Sequence, residues 1–281
     1  MLYKVTVRSI IDYALPIYYH SLKVSEKKHL EQVQYKAARL VTGAKYSTSQ
    51  VKLNSELGWE SIDKRADFLS LSIFYKILTG KTRPLVKTFM PEFAVNTDHN
   101  TRHQRLFTHY KSKSAKFTNS FFLIMTKKYQ LLPKSTRSQR DIVDFKEELR
   151  NHLVPKKYKF LARGSRAGCI LLTQIRVGRS DLNSHSFTVG KTSSPECTCY
   201  FPNESVSHFF LDCFLYIEER RTLFGTFEHF IPKFVSFSKR KKLDIILNGF
   251  DRDNPDIYST NVKLQCATQN YVLQTKRFKN N

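Results

Sequence analysis

Three cysteines and one histidine fall within seventeen residues of this chain, at Cys197, Cys199, His208 and Cys213. Their spacing reads C-x-C-x8-H-x4-C. Three thiolates and one imidazole form the ligand set of a tetrahedral structural zinc site, and so short a segment can bring them together without the rest of the fold. The sequence therefore predicts a structural zinc site, around which a local fold is organised.

A zinc ion with four protein ligands has no open position for water, so this site would hold a fold rather than activate a nucleophile. The alternative is that the cysteines are ordinary small buried residues and that His208 packs in a helix. The chain has only two other cysteines, Cys169 and Cys266. Short Cys/His tracts at ligand spacing are typical of zinc sites, and a disulfide closed by one intervening residue is strained. We therefore favour metal binding.

The chain has 281 residues, enough for one large domain or two modest ones. No run of eighteen apolar residues occurs, and the apolar stretch from Ile10 to Tyr19 is interrupted by Asp12 and Pro16. We therefore expect neither a membrane span nor a secretory signal. The expected location is intracellular, in the nucleus or the cytoplasm, where the cysteines stay reduced and available to metal.

Basic residues greatly outnumber acidic ones, 47 to 24, which gives a net charge of +23. Between Thr101 and Arg140 there are ten Lys or Arg and no acidic residue, and the stretch from Thr101 to Ser180 carries +15. A field of this sign attracts polyanions through phosphate neutralisation and counterion release. A merely solvated basic surface is the alternative. Forty residues without a carboxylate favour nucleic acid as the partner.

Capping and stop signals predict a small helical bundle in residues 1–92. Its helices are predicted from the Ser25 cap to Gly43, from Thr48 to Leu57 with a stop at Gly58, and from the Ser61 cap to Gly80. Residues 93–160 form a basic connector with two predicted helices, one ending before Pro133 and one capped by Ser138.

A helix from Ala167 to Val177 and the Cys/His segment occupy residues 161–225, with a further helix expected from Asp212 to Phe224. Residues 226–281 are predicted as a helical tail. Within it, Lys239-Arg240-Lys241-Lys242 follows Ser238, and four cations at a helix N-terminus oppose the helix dipole. This run is interpreted as a solvated basic turn, with a partner or a nuclear-import reader as the alternative.

Three groups of residues together carry a family resemblance. The first comprises Val7-Arg8-Ser9-Ile10-Ile11-Asp12-Tyr13-Ala14-Leu15-Pro16-Ile17-Tyr18, Leu30-Glu31-Gln32-Val33-Gln34, Ala37-Ala38-Arg39, Glu56-Leu57-Gly58-Trp59 and Tyr75-Lys76-Ile77. The second comprises Ser120-Phe121-Phe122, Leu132-Pro133 and Asp144-Phe145-Lys146. The third comprises Leu172-Thr173-Gln174-Ile175-Arg176-Val177-Gly178, Ser194-Pro195-Glu196-Cys197 and His208-Phe209-Phe210-Leu211-Asp212-Cys213, followed by Tyr216 and Arg220.

In this order and spacing, residues 5 to 225 resemble the region downstream of the polymerase domain in non-LTR (LINE-type, jockey-like) retrotransposon reverse transcriptases. The resemblance implies a mainly α chain: a thumb-like bundle, a basic connector and a CCHC zinc knuckle flanked by helices. It departs from the family where Tyr129-Gln130 replaces Trp-Asn and where Phe214 replaces a proline. It also implies a fragment, with Met1 internal to a longer ancestral frame.

The family's polymerases hold two Mg²⁺ ions on clustered aspartates of an aromatic-x-Asp-Asp turn. This chain has no Asp-Asp pair. We therefore expect a non-catalytic, zinc-stabilised fragment that binds RNA or DNA largely independently of sequence, with the missing polymerase domain as its ancestral partner. Its predicted phosphate contacts are Arg102, Arg105, Lys111, Lys113, Lys127, Lys128, Arg137 and Arg140. The alternatives are a helical structural or interaction protein with a zinc staple, or a relic frame without a retained role.

Overall fold

The computed structural model describes residues 2–46, 48–90, 92, 107, 114–153 and 163–278. It is 69% helical, and no strand occurs in those ranges. The mainly α prediction is thereby confirmed. The helices are α1 (Leu2–Asp12), α2 (Leu15–Tyr18), α3 (Val24–Thr42), α4 (Gln50–Leu57), α5 (Ile62–Leu78), α6 (Pro84–Lys87), α7 (Ala115–Thr118), α8 (Phe121–Leu131), α9 (Lys134–Arg137), α10 (Ile142–Leu153), α11 (Arg166–Arg176), α12 (Asn183–Thr188), α13 (Ile217–Phe230), α14 (Lys239–Asn248) and α15 (Tyr258–Gln274).

The chain divides into two compact units. The first draws on residues 1–37 and 58–156, and the second on residues 38–57 and 157–281. Short 3-10 turns at Tyr19–Ser21, Phe214–Tyr216, Phe234–Ser236 and Pro255–Ile257, and one π-helical turn at His208–Asp212, complete the described helical structure.

The first unit is built around α5, which packs against α2, α8 and α10. The helix begins at Ser61, whose Oγ accepts a hydrogen bond from the Lys64 backbone N–H, as the sequence predicted. Its buried face meets the aromatic and aliphatic residues of α8 and α10, and the Tyr75 ring stacks on Phe145 at 4.2 Å. Burial of these large rings provides the main hydrophobic contribution to this unit.

Helix α1 buries Tyr3 and Arg8 and leaves several apolar side chains exposed. Tyr3 stacks on Trp59, the single tryptophan of the chain, with ring centroids 4.8 Å apart. Arg8 is 4% exposed and pairs with Glu60 at 2.5 Å. Leu2 and Ile10 are each 77% exposed. Tyr3 and Arg8 therefore attach this helix to the unit, whereas Leu2 and Ile10 do not.

The second unit is built around α15, which packs against α11, α13 and α14. Its buried face is partly polar, because Asn261, Gln265, Thr268 and Gln269 are all at most 3% exposed. Asn261 hydrogen-bonds both backbone groups of Phe250, at 2.8 and 2.7 Å. These bonds satisfy groups whose burial would otherwise cost free energy.

Two predicted N-caps are wrong. Helix α3 already begins at Val24, so Ser25 lies inside it, and Glu26 accepts a hydrogen bond from the Lys23 N–H instead. Ser138 ends α9 rather than starting α10. The residue before α10 is Asp141, whose carboxylate accepts from the Val143 N–H at 2.7 Å. In both cases a carboxylate near the first turn accepts from a backbone N–H and also complements the helix dipole.

The predicted helix from Asp212 to Phe224 is interrupted at Cys213, which has extended backbone, and α13 begins at Ile217. The predicted glycine stops are confirmed, since Gly43, Gly58 and Gly80 all have positive φ. Gly43 admits no side chain, because an added Cβ would lie 2.7 Å from the Ile170 side chain. No described helix combines the length and the apolar composition that a membrane crossing needs.

Candidate metal centre

The second unit brings Cys197, Cys199, His208 and Cys213 together, and we call these four residues the Cys3His cluster. All four are buried, and one ligand atom of each lies within 4.8 Å of the others. Cys197 Sγ and Cys213 Sγ are 3.8 Å apart, and Cys199 Sγ lies 3.2 Å from His208 Nε2. Residues that are separated by up to sixteen positions therefore converge on one point.

A tight turn presents the first two cysteines. The Tyr200 N–H donates to the Cys197 carbonyl at 2.8 Å, and the Cys197 N–H donates to the Phe201 carbonyl at 2.9 Å. Tyr200 has a φ of 65°, the left-handed conformation that reverses the chain after Cys199. This local pairing sets the backbone conformation of the C-x-C segment.

A π-helical turn presents the other two ligands. The His208 N–H donates to Ser205 Oγ at 3.1 Å, which caps the turn. The Cys213 N–H donates to the His208 carbonyl at 2.8 Å, five residues back and one more than in an α-helix. Arg220 Nη1 donates to the Cys213 carbonyl at 2.7 Å. The wider turn and the Arg220 hydrogen bond together position Cys213 beside the other three residues of the cluster.

The imidazole of His208 is oriented by packing. The Phe201 ring stacks on it with centroids 4.3 Å apart and an interplanar angle of 7°. Its Nε2 faces the cysteines, whereas its Nδ1 is buried and has no hydrogen-bond partner in the described part of the chain. The Phe201 stack therefore sets the plane of the imidazole.

The separations match a tetrahedral centre closely enough to hold a metal ion. Zn–S bonds of about 2.3 Å at tetrahedral angles place two sulfurs about 3.8 Å apart, and a sulfur and a nitrogen about 3.6 Å apart. The corresponding distances in the cluster are 3.8 and 3.2 Å, and all pairs of ligand atoms lie within 4.8 Å. The Cys3His cluster is therefore compatible with a metal site.

Burial sets the protonation of these ligands in the metal-free protein. Desolvation raises the pKa of Cys197, and it raises the pKa of Cys213 to about 12. Desolvation also lowers the pKa of His208 below its usual value. Near neutral pH, Cys197 and Cys213 are therefore thiols and His208 is neutral, so a metal ion must displace thiol protons to bind.

The cluster is embedded in the hydrophobic core of its unit. Phe209 and Phe210 lie between the ligands His208 and Cys213 and are fully buried. The Tyr271 hydroxyl donates to the Phe209 carbonyl at 2.5 Å, and the Tyr271 ring stacks on Phe210. Helix α15 is therefore anchored directly on the segment that carries two of the ligands.

A buried ion pair adjoins the cluster. Glu204 is 1% exposed and accepts two hydrogen bonds from Arg277, both at 2.6 Å, and one from the Asn183 N–H at 2.6 Å. Sequence reasoning missed this pair. Glu204 could have been singled out, because it is the one acidic residue between Cys199 and His208. Nothing in the sequence indicated that Arg277 would be its partner.

Four of the eight predicted phosphate-contact residues belong to the part of the chain that the structure describes. Arg102, Arg105, Lys111 and Lys113 lie outside the described residues. The other four belong to the first unit. Lys127 and Arg140 are exposed, Lys128 pairs with Asp67, and Arg137 Nε donates to the Leu132 carbonyl at 3.0 Å.

The fold and the site define a mainly helical protein with a buried Cys3His cluster. Comparison of the chain with protein-family models, with curated proteins and with solved structures gives no match. The resemblance to reverse transcriptases therefore stays a prediction from the sequence.

Proposed function

We propose that this chain is a non-catalytic nucleic-acid-binding protein stabilised by one structural zinc ion. In this proposal it corresponds to the thumb and knuckle region of a non-LTR retrotransposon reverse transcriptase and has no polymerase activity of its own. The observation that carries the proposal is the buried convergence of the four residues at the C-x-C-x8-H-x4-C spacing. The large positive charge of the chain, +23, supports the nucleic-acid part.

Zinc is the metal that this donor set favours. Three thiolates and one imidazole are soft and borderline ligands, which suit zinc and exclude the oxygen-seeking Mg²⁺ and Ca²⁺. Four protein ligands close the coordination sphere, so the ion would contribute folding free energy rather than chemistry. The residues Cys197, Cys199, His208 and Cys213 would hold it.

Zinc affinity is expected to rise with pH. Because burial raises the pKa of Cys197 and Cys213, each of these thiols releases a proton when it binds the metal. The logarithm of the association constant should therefore increase by about 2 or more per pH unit near neutrality. Competition with a chromophoric chelator between about pH 6.5 and 8 measures this slope. A flat profile would show that the thiols are not ligands.

The nucleic-acid surface is expected to read phosphates rather than bases. Lys127 and Arg140 are its described and exposed candidates. Lys128 is a weaker one, since its ammonium is engaged by Asp67. Contacts from Lys and Arg to phosphate fix position on the strand and carry no sequence information.

Affinity for RNA or DNA is expected to fall steeply with salt. Each neutralised phosphate contributes about −0.9 to the slope of log K against log salt on duplex DNA and about −0.7 on single strands. The double variant Lys127→Ala/Arg140→Ala should reduce the magnitude of that slope by about 1.8 on duplex DNA and by about 1.4 on single strands, as measured by fluorescence anisotropy. Lys128→Met is the matched control, and it should affect the slope less because Lys128 is already paired. Affinity that is independent of salt would contradict the proposal.

The second candidate function is that of a helical interaction or structural protein whose cluster only holds the fold. The packing of the cluster in the core, with Phe209 and Phe210 fully buried beside it, favours this candidate. Measurement of one zinc per chain without any binding to RNA or DNA at low salt would select it. A relic frame would show neither stable folding nor binding.

A further inference from the structure

Exposed aromatic residues border the Cys3His cluster. Tyr200 directly follows Cys199 and is 85% exposed, and Phe214 directly follows Cys213 and is 58% exposed. The four ligand atoms lie within 4.8 Å of one another, so residues next to the ligands border one small module. We call Tyr200 and Phe214 the knuckle face.

The backbone conformation at residue 200 gives no structural reason for a tyrosine at this position. Its φ of 65° lies in the left-handed region, which glycine or asparagine adopts at a lower cost in free energy. Its ring gains nothing from folding, because 85% of the residue stays in water. A strained backbone position that carries a large exposed ring points to a role in binding.

Two apolar residues that follow Phe214 in the sequence are also exposed. Leu215 and Ile217 are 44% and 45% exposed, although both lie next to residues of the core. Single exposed apolar residues need no explanation, but here three occur within four positions, and clustered exposed apolar residues are typical of interaction sites.

A basic turn lies beside this face. Lys239 Nζ donates to Asp212 Oδ1 at 2.7 Å, and Asp212 is the residue before Cys213. The contact places the first turn of α14 next to the cluster. Arg240 and Lys241 lie in that turn and are exposed. Cations at a helix N-terminus oppose the helix dipole, so the positive potential of this turn exceeds that of its side chains alone.

The knuckle segment itself offers little positive charge. Residues 190–225 contain three basic and five acidic residues. The turn of α14 that Lys239 joins to Asp212 adds positive charge beside the cluster, while the knuckle contributes ring faces. Proteins bind single strands by stacking bases on aromatic rings while neighbouring cations contact the phosphates.

We infer that the knuckle face binds single-stranded nucleic acid, with unpaired bases stacking on Tyr200 and Phe214 and phosphates contacting Arg240 and Lys241. The inference rests on the proposed function and narrows it, since it names the form of the nucleic acid and a second surface, on the second unit. Stacking is available only where bases are unpaired, so a duplex should bind through charge alone.

The test compares a labelled single strand with a duplex of the same length, at about 0.15 M salt, using the zinc-loaded full chain. Tyr200→Ala should weaken single-strand binding about 5- to 150-fold, the range expected for one stacked base, and leave duplex binding unchanged. Tyr200→Phe should retain affinity because the ring remains. Tyr13→Ala is the matched control, since Tyr13 is 92% exposed and lies in the first unit.

Folding is checked separately with Tyr200→Gly. Glycine relieves the left-handed strain, so this variant should keep its zinc and its melting temperature and still lose single-strand affinity. Unchanged single-strand binding in Tyr200→Ala, or equal losses on single strand and duplex, would overturn the inference and leave charge-based binding standing. A wild-type chain that binds neither substrate would overturn both the inference and the proposed function.

Discussion

Removal of zinc with a chelator is expected to unfold the second unit cooperatively. The metal would join the C-x-C segment to the turn that carries His208 and Cys213, and Phe209 and Phe210 between those two ligands belong to the hydrophobic core of that unit. Without the metal, three thiols and an imidazole are buried, and few other interactions offset the cost of their desolvation. Structural zinc binding contributes on the order of 10 kcal/mol in small domains, so a loss of about 5 kcal/mol or more is expected here.

Thermal melts followed by circular dichroism, with and without chelator, measure this loss, and atomic absorption gives the stoichiometry. Cys213→Ser should reproduce the chelator's effect. Cys266→Ser is the matched control, because Cys266 is partly exposed on α15 and does not belong to the cluster. Identical melting curves with and without chelator would show that the four residues do not hold a structural metal.

Replacing Arg277 by Met is expected to destabilise the protein by about 3–5 kcal/mol, because it leaves a buried carboxylate without its cation. The side chain of Glu204 is 1% exposed and that of Arg277 is 20% exposed. Beyond the ion pair, Arg277 Nη2 donates to the Asp181 carbonyl at 3.2 Å and to Asn183 Oδ1 at 3.0 Å. Its loss would therefore also free the chain that follows α15.

Urea denaturation measures the change in the free energy of unfolding. Arg221→Met is the matched control, because Arg221 pairs with Glu218 at the surface, where both side chains are more than 70% exposed. Exposed pairs of this kind contribute at most about 1 kcal/mol. The double variant Glu204→Gln/Arg277→Met should recover much of the loss, since it removes the unpaired charge. Equal effects of Arg277→Met and Arg221→Met would contradict the burial argument.

The sequence predicted the helices whose ends carry strong local signals. Ser61 and the glycines at 43, 58 and 80 were correct because caps and left-handed stops depend on a few adjacent residues. The caps at Ser25 and Ser138 were wrong because carboxylates nearby accepted from backbone N–H groups at those helix starts. Sequence rules allow several side chains to cap a given helix, and the geometry of each side chain decides which one accepts from the backbone N–H.

A helical tail was predicted for residues 226–281, but the buried face of helix α15 within it was not. Its buried face includes Asn261, Gln265, Thr268 and Gln269, so its apolar residues do not recur at helical spacing and the segment gave only a weak signal. Long-range bonds satisfy much of that face: Gln269 accepts from the Ser165 N–H and donates to the Arg163 carbonyl. Partners about a hundred positions away leave no trace in a local pattern.

The candidate metal site was predictable in its ligands but not in its geometry. Spacing alone identified Cys197, Cys199, His208 and Cys213, whose convergence the structure bears out. The π-helical turn that sets the separation of His208 and Cys213 was not foreseen, because one extra residue in a turn depends on packing rather than on propensity.

The position of Trp59, stacked on Tyr3, makes its fluorescence a reporter of the first unit alone. A metal bound to the Cys3His cluster would report on the second unit. Trp59 is the sole indole and belongs to the first unit, whereas the three cluster thiols belong to the second. Indole emission would follow the melting of one half, and the charge-transfer absorption of a cobalt-substituted centre would follow the other. Two wavelengths recorded on one unlabelled sample would thus reveal whether the halves unfold together or in sequence.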